Sequence, residues 1–340
     1  MTVWSNQSVN PEITRIEPAT TLRVWRVTKY NPADRDEWGH YIGREDTDSD
    51  WGPVEAAYLD TVAAFAEDTG VDVLQIREPS VPIVTGIGSD IHECFGGLVE
   101  LFGVDLDGYH DGAPLQPDHA VELVRLMLRG DGVWCRLEAG DDFFVHVGWD
   151  QYVYVGSSAG CPRAVAFAHK HGLFAEPISG SPYVFGLGDD DRIDVRCADA
   201  AFWADLAGLV DELGTALLEE GYVYNDSRWH RLTPSTVDTV RDRLTPRARL
   251  LVWPGLSADV AGVLDSLPDE GLVEVVWQDH AGRITSRLIE ESDQPAVRAR
   301  LADAASATAL SVYAEQRRPL ITAVLPDSME SCAPAGLHSR

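Results

Sequence analysis

Asp46-x-Asp48-x-Asp50 places carboxylates at every second position, the most metal-like spacing in the chain. Three such oxygen ligands could hold a weak Ca²⁺ or Mg²⁺, but a calcium loop of the EF-hand type needs glycine sixth and glutamate twelfth. Trp51 and Ala57 stand there instead. A solvated loop that puts negative charge ahead of a helix N-terminus explains the spacing more simply. Asp90, His92, Glu93 and Cys94 are also metal-capable, yet no second His/Cys cluster exists to complete a coordination shell. Gly86-x-Gly88 is followed by Ile91 where a dinucleotide fingerprint requires its third glycine. The phosphate loop G-x-x-x-x-G-K-[ST] is absent. The expectation is therefore no metal site, no cofactor and no nucleotide motif.

His146 sits between Val145 and Val147, with Cys135 on a neighbouring stretch and Asp150 after it. Those three types could activate a thiolate nucleophile. A strand histidine and a cysteine used as a small hydrophobe account for them equally. His169 and His171 close a helix, where the dipole favours cations. Arg228-Trp229-His230-Arg231 is a compact cationic and aromatic run in an acidic chain. It suits stacking on a base, a protein-interface hot spot, or an Arg-rich strand paired with carboxylates. Lys29 and Arg35 flank Tyr30-Asn31-Pro32 and suit either an anion or plain turn chemistry. The candidate binding residues are thus Lys29, Arg35, Arg228, Trp229, His230 and Arg231.

Apolar periodicity predicts the elements that must position them. A strand is expected over 22–27, a polar loop to Gly52, a helix from Pro53 to Gly70 and a strand over 71–76. A helix from Pro117 leads to a strand over 133–137 and a hairpin over 143–155. Helices follow over 162–171, from Asp199 to Gly221, from Thr233, from Ser257 and over 295–316, with a last strand over 320–325. The fold class is α+β, built of small helix–strand–hairpin modules. The segments are an arm over 1–20, a module over 21–82, a second over 83–185, a third over 199–326 and a disordered tail over 327–340. The acidic run Gly188-Asp189-Asp190-Asp191 marks a boundary. Val121 to Leu128, Trp134 and Val145 to Trp149 match Val237 to Leu244, Trp253 and Val273 to Trp277 in residue type, which raises a diverged internal repeat.

Val24-Trp25-Arg26-Val27-Thr28-Lys29-Tyr30-Asn31-Pro32-x-x-Arg35-Asp36 resembles the opening of a group of largely uncharacterised bacterial proteins of actinobacterial type, W-x-V-T-K-Y-N-P-x-x-R-D. Some of that group carry an RNA-binding label. Phe144 to Tyr152 and Arg228 to Leu232 are similar to its longer members. The resemblance implies a lineage and supplies no catalytic residues.

Asp and Glu outnumber Lys and Arg by 55 to 27 across 340 residues, giving a net charge of −28 spread along the chain. Such a surface repels nucleic acid and anionic membrane over most of its area and attracts a basic partner. The five cysteines are odd in number and widely spaced, so reduced thiols are expected. With no apolar run long enough to span a bilayer and no leader-like start, the expected location is the cytoplasm. Three functional readings stay open. One is a non-catalytic binding or regulatory protein working through protein contacts, with an immunity or inhibitor role against a basic toxin as one version. The second is an RNA-associated protein using local basic-aromatic patches. The third is an enzyme with an unrecognised, metal-dependent site.

Overall fold

The computed structural model describes residues 22–43, 50–86, 95–183, 196–313 and 316–326. The first strand, β1 (Arg23–Thr28), alternates as its sequence requires: Trp25 and Val27 enter the main core, and Val24 and Arg26 face the other way. Helix α1 (Pro53–Thr69) opens on proline and closes on Gly70, whose φ of 79° makes the left-handed cap. Then come β2 (Leu74–Ser80), α2 (Gly96–Phe102), β3 (Pro114–Leu115), α3 (Pro117–Arg129) and the β4 (Trp134–Ala139) and β5 (Phe143–Val147) hairpin. β6 (Val153–Ser157), α4 (Pro162–Lys170) and β7 (Phe174–Ile178) complete this part.

These strands form one seven-stranded antiparallel sheet in the order β3-β2-β4-β5-β6-β1-β7. Strands from both sides of residue 82 enter it, so 21–82 and 83–185 build a single layer. Helices α1, α3 and α4 pack over the face that carries Val27, Ile76, Leu137, Val145 and Val155.

The remainder contains α5 (Ala200–Leu213), β8 (Ala216–Val223), β9 (Asp226–Leu232), α6 (Val237–Arg241) and β10 (Arg249–Pro254). After them come α7 (Val260–Asp265), β11 (Val273–Gln278), β12 (Ile284–Ile289), α8 (Gln294–Leu301), β13 (Ser306–Ser311) and β14 (Ile321–Val324). Their strands make two antiparallel sheets, β14-β10-β8-β9 and β12-β11-β13. The fold is α+β. Two backbone hydrogen bonds, Tyr224 to Pro79 and Val81 to Tyr224, tie the first sheet to the second, and one core runs from Trp25 to Ala323.

Two expected helices are shorter than the sequence suggests. The helix after Asp199 stops at Gly214, and Ala216–Val223 is a strand buried along most of its length. A strand buried on both faces loses its alternation and reads like a helical stripe. The helix expected over 295–316 ends at Leu301, and Ser306–Ser311 is a strand. The two stretches compared as a repeat differ in pairing: β4 pairs with β5, whereas β10 and β11 belong to different sheets. Cys135 and Cys161 are free and buried, but Cys197 is disulfide-bonded, against the expectation of reduced thiols. Spacing in sequence does not reveal which cysteines the fold brings within bonding distance. Among the described residues no helix is long and apolar enough to cross a membrane. The 1–20 arm, Asp46, Asp48, Gly88, Asp90 to Cys94, the 188–191 run and the 327–340 tail lie outside the described residues.

On the sheet face away from the helices, Gly156 lies opposite Phe144, whose ring stacks on His146 at 4.3 Å. A Cβ at Gly156 would overlap the Phe144 ring, which that stack holds in place. Gly156→Ala is expected to cost about 1–3 kcal/mol, seen as a lower urea midpoint with an unchanged slope.

Candidate functional site

The sequence-predicted binding residues fall into two places. Arg228, Trp229, His230 and Arg231 lie on β9, the edge strand of the second sheet. Arg228 donates to Thr245 Oγ1 at 3.0 Å and Asp107 Oδ1 at 3.1 Å, with its guanidinium 4.0 Å from the Tyr222 ring centroid. His230 Nε2 is 2.7 Å from the buried Glu220 carboxylate, which also accepts from the Thr245 N–H at 2.7 Å. Trp229 is half-buried against Leu217, Leu251, Trp253 and Val276. Arg231 donates to Gln278 at 3.1 Å. This is an Arg-rich strand bound to its neighbours, without the exposed Trp229 that base stacking would use. Lys29 and Arg35 belong to the first sheet's surroundings: the Lys29 ammonium meets Asp50, and Arg35 Nη1 donates to Glu176 at 3.2 Å.

The thiolate arrangement does not form. Cys135 is on the core face, where burial pushes its thiol up to about 12. Its neighbour Arg136 is the residue paired with His146, so Cys135 and His146 point to opposite faces. His146 Nδ1 instead meets Ser181 Oγ at 2.9 Å, and burial holds the imidazole below its usual value despite Glu138 3.9 Å from Nε2. No trio of His, Cys, Asp or Glu able to hold a metal occurs among the described residues.

Two features escape motif reading. The first is a row of residues that lie opposite one another across six strands: Arg77, Arg136, His146, Tyr154, Arg26 and Glu176. All six share the face away from the helices, because directly paired residues point the same way. Their carboxylate partners are Asp111, Glu78, Glu138 and Glu176, and the loop residue Arg35 joins them. Four arginines here meet four carboxylates, a balanced patch in a chain of charge −28. The Nε atoms of Arg26, Arg35, Arg77 and Arg136, with Arg35 Nη2 and His146 Nε2, are buried without a hydrogen-bond partner. Period-two alternation shows which way each side chain points. It cannot show that β1 lies between β6 and β7.

The second feature is a set of exposed apolar side chains. Trp38 is 74% exposed, Ile42 68%, Trp51 51% and Trp149 85%. They project from three loops that converge on Gln151 and Tyr152. Trp149 begins the short turn that contains Gln151. Trp51 and Gln151 line one concavity with Asp50, Glu55 and Arg129. The loop carrying Trp38 and Ile42 is fixed by Tyr41 on Tyr30 at 4.9 Å and Tyr30 on Tyr152 at 5.9 Å. Asp36 shapes that loop by accepting from the Trp38 and His40 N–H groups at 3.0 and 2.8 Å. Exposed Asp34 and Glu37 stand beside Trp38. No family model matches the chain, and neither the curated proteins nor the solved structures contain a significant match.

Two buried networks hold the C-terminal sheets. Arg317 donates to both oxygens of Glu219 at 2.8 and 2.7 Å and to Glu274 at 2.8 Å, while Trp253 Nε1 donates to Glu219 at 2.9 Å. Arg317→Ala leaves both carboxylates without their cation and is expected to cost about 3–5 kcal/mol in chemical unfolding. In the second network burial pushes the Glu220 carboxyl up, and the hydrogen bonds from His230 and Thr245 outweigh it, so it sits below the usual carboxylate range. A depressed carboxyl stabilises above its unfolded pKa, close to 4.5, and loses that contribution as pH falls through its folded value. The stability advantage over Glu220→Gln should therefore be full at neutral pH and shrink below pH 4.5 in acid-to-neutral urea titrations.

Proposed function

We propose that this chain is a non-catalytic binding protein that takes a basic partner protein on the end formed by Trp38, Ile42, Trp51 and Trp149, in the manner of an inhibitor or immunity protein. The observation that carries this reading is that the loops bearing those four exposed side chains are anchored around Gln151 and Tyr152. Large apolar groups clustered at a surface mark interaction sites, and tryptophan is the residue type most enriched among binding hot spots. The sign of the partner follows from charge. Cations such as Arg125, Arg129, Arg163 and Arg317 are tied to carboxylates within the fold, which leaves the excess of −28 to the surface. A field of that sign speeds association with basic proteins and weakens as salt rises.

Capture from a host lysate by the immobilised chain, with and without nuclease treatment, tests the reading when run beside Trp38→Ala/Trp149→Ala. Basic proteins should be retained in both arms and released by salt. The double variant should lose them by about tenfold or more while unfolding like the parent. Equal retention by the variant, or retention only where nucleic acid is intact, sinks the proposal.

A further inference from the structure

Arg26 and Arg35 reach one carboxylate from two elements. Glu176 Oε2 accepts from Arg26 Nη2 at 2.8 Å and from Arg35 Nη1 at 3.2 Å. Both guanidinium carbons lie near the Tyr152 ring, 5.6 and 5.4 Å from its centroid. The Arg35 side chain is only 6% exposed, yet its Nε and Nη2 have no partner, and the Nε of Arg26 has none either. One carboxylate thus faces two permanent positive charges, with three buried donors unused. Groups buried in this way lose their water without compensation unless something replaces it.

We propose that Arg26, Arg35 and Tyr152 form a binding site for the oxyanion group, phosphate or carboxylate, of a small ligand. A guanidinium presents its N–H donors as a rigid fork that matches such groups, and the donors left over here are those a second anion would need. Water could satisfy the hydrogen bonds but would leave the charge imbalance in place. The Tyr152 ring faces both guanidiniums, and Glu176 holds each from one side, so their free edges are already oriented. Arg26 and Glu176, whose side chains are 21% and 32% exposed, are where the group meets solvent. This site shares Tyr152 with the base of the tryptophan-bearing loops and differs from them in its ligand.

The purified full-length chain tests it without any partner. Calorimetric titration with inorganic phosphate, and separately with succinate, at ionic strength held constant with chloride, should give binding on the order of millimolar or tighter. Binding of either anion supports the site, and the two arms tell which source supplies it. Arg35→Gln should weaken that binding by about tenfold or more. Glu176→Gln frees both forks from their competitor and should tighten the binding already seen in the parent on the order of tenfold. If Arg35→Gln does not fold, Glu176→Gln decides. No binding above the chloride baseline overturns the proposal, as does a Glu176→Gln variant that binds no more tightly than the parent.

Discussion

The structure depends on how a chain poor in cations uses them. Arg125 and Arg129 on α3 close on Glu55 of α1, at 2.9 and 2.7 Å. Arg163 at the start of α4 joins Asp68 at the end of α1 at 2.6 Å. Arg247 reaches Asp111 across the two halves, and Arg317 spans from Glu219 on β8 to Glu274 on β11. Each pair bridges separate elements, so these cations act as cross-links. The buried pairs of Arg247 and Arg317 add little net stability against an apolar replacement, because desolvation offsets the attraction, and solvent screens the exposed Arg129 and Arg163. They do penalise any arrangement that leaves a carboxylate alone, which fixes how helices and sheets meet.

Glu219 and Glu220 show why this matters for the second sheet. Adjacent residues on β8 point to opposite faces, so each carboxylate must find its own donors. Glu219 has Arg317 and the Trp253 indole, while Glu220 has His230 and the Thr245 N–H. A strand with two successive glutamates buried in this way can be paired in one register only. The same constraint acts on Glu274, whose carboxyl burial pushes up even with Arg317 beside it. One arginine between two carboxylates is a compromise that holds the two C-terminal sheets together.

Much of the architecture was legible from local signals. Pro53 and Gly70 bracket α1, Pro117 opens α3, and the alternation over 143–155 gives the hairpin of β5 and β6. These signals are local because caps, prolines and period-two patterns act over a few residues. The strand Ala216–Val223 was not legible, since burial on both faces removes the pattern that would distinguish it from a helix. Of the candidate site residues, the run Arg228–Arg231 was visible as a cluster, but its carboxylate partners lie on β8 and near residues 105–107 and could not be read from spacing. Arg35 was visible from its motif. Arg26, Tyr152 and Glu176 meet it only through the order β6-β1-β7, which is a property of tertiary pairing.

That strand order also decides which side chains share the outer face of the first sheet. Alternation sends Trp25 and Val27 into the core and Arg26 outward, so β1 must present a cation on the face away from the helices. Antiparallel pairing on both sides then supplies Tyr154 and Glu176 to the same row. The arginines of the row are largely buried, and low surrounding polarity strengthens each charge interaction they make. The charge of −28 acts at longer range and is felt first by a large partner approaching the exposed tryptophans. That field repels a polyanion most, and salt screens the repulsion. Under the two proposals, the same sheet would select by size as well as by sign.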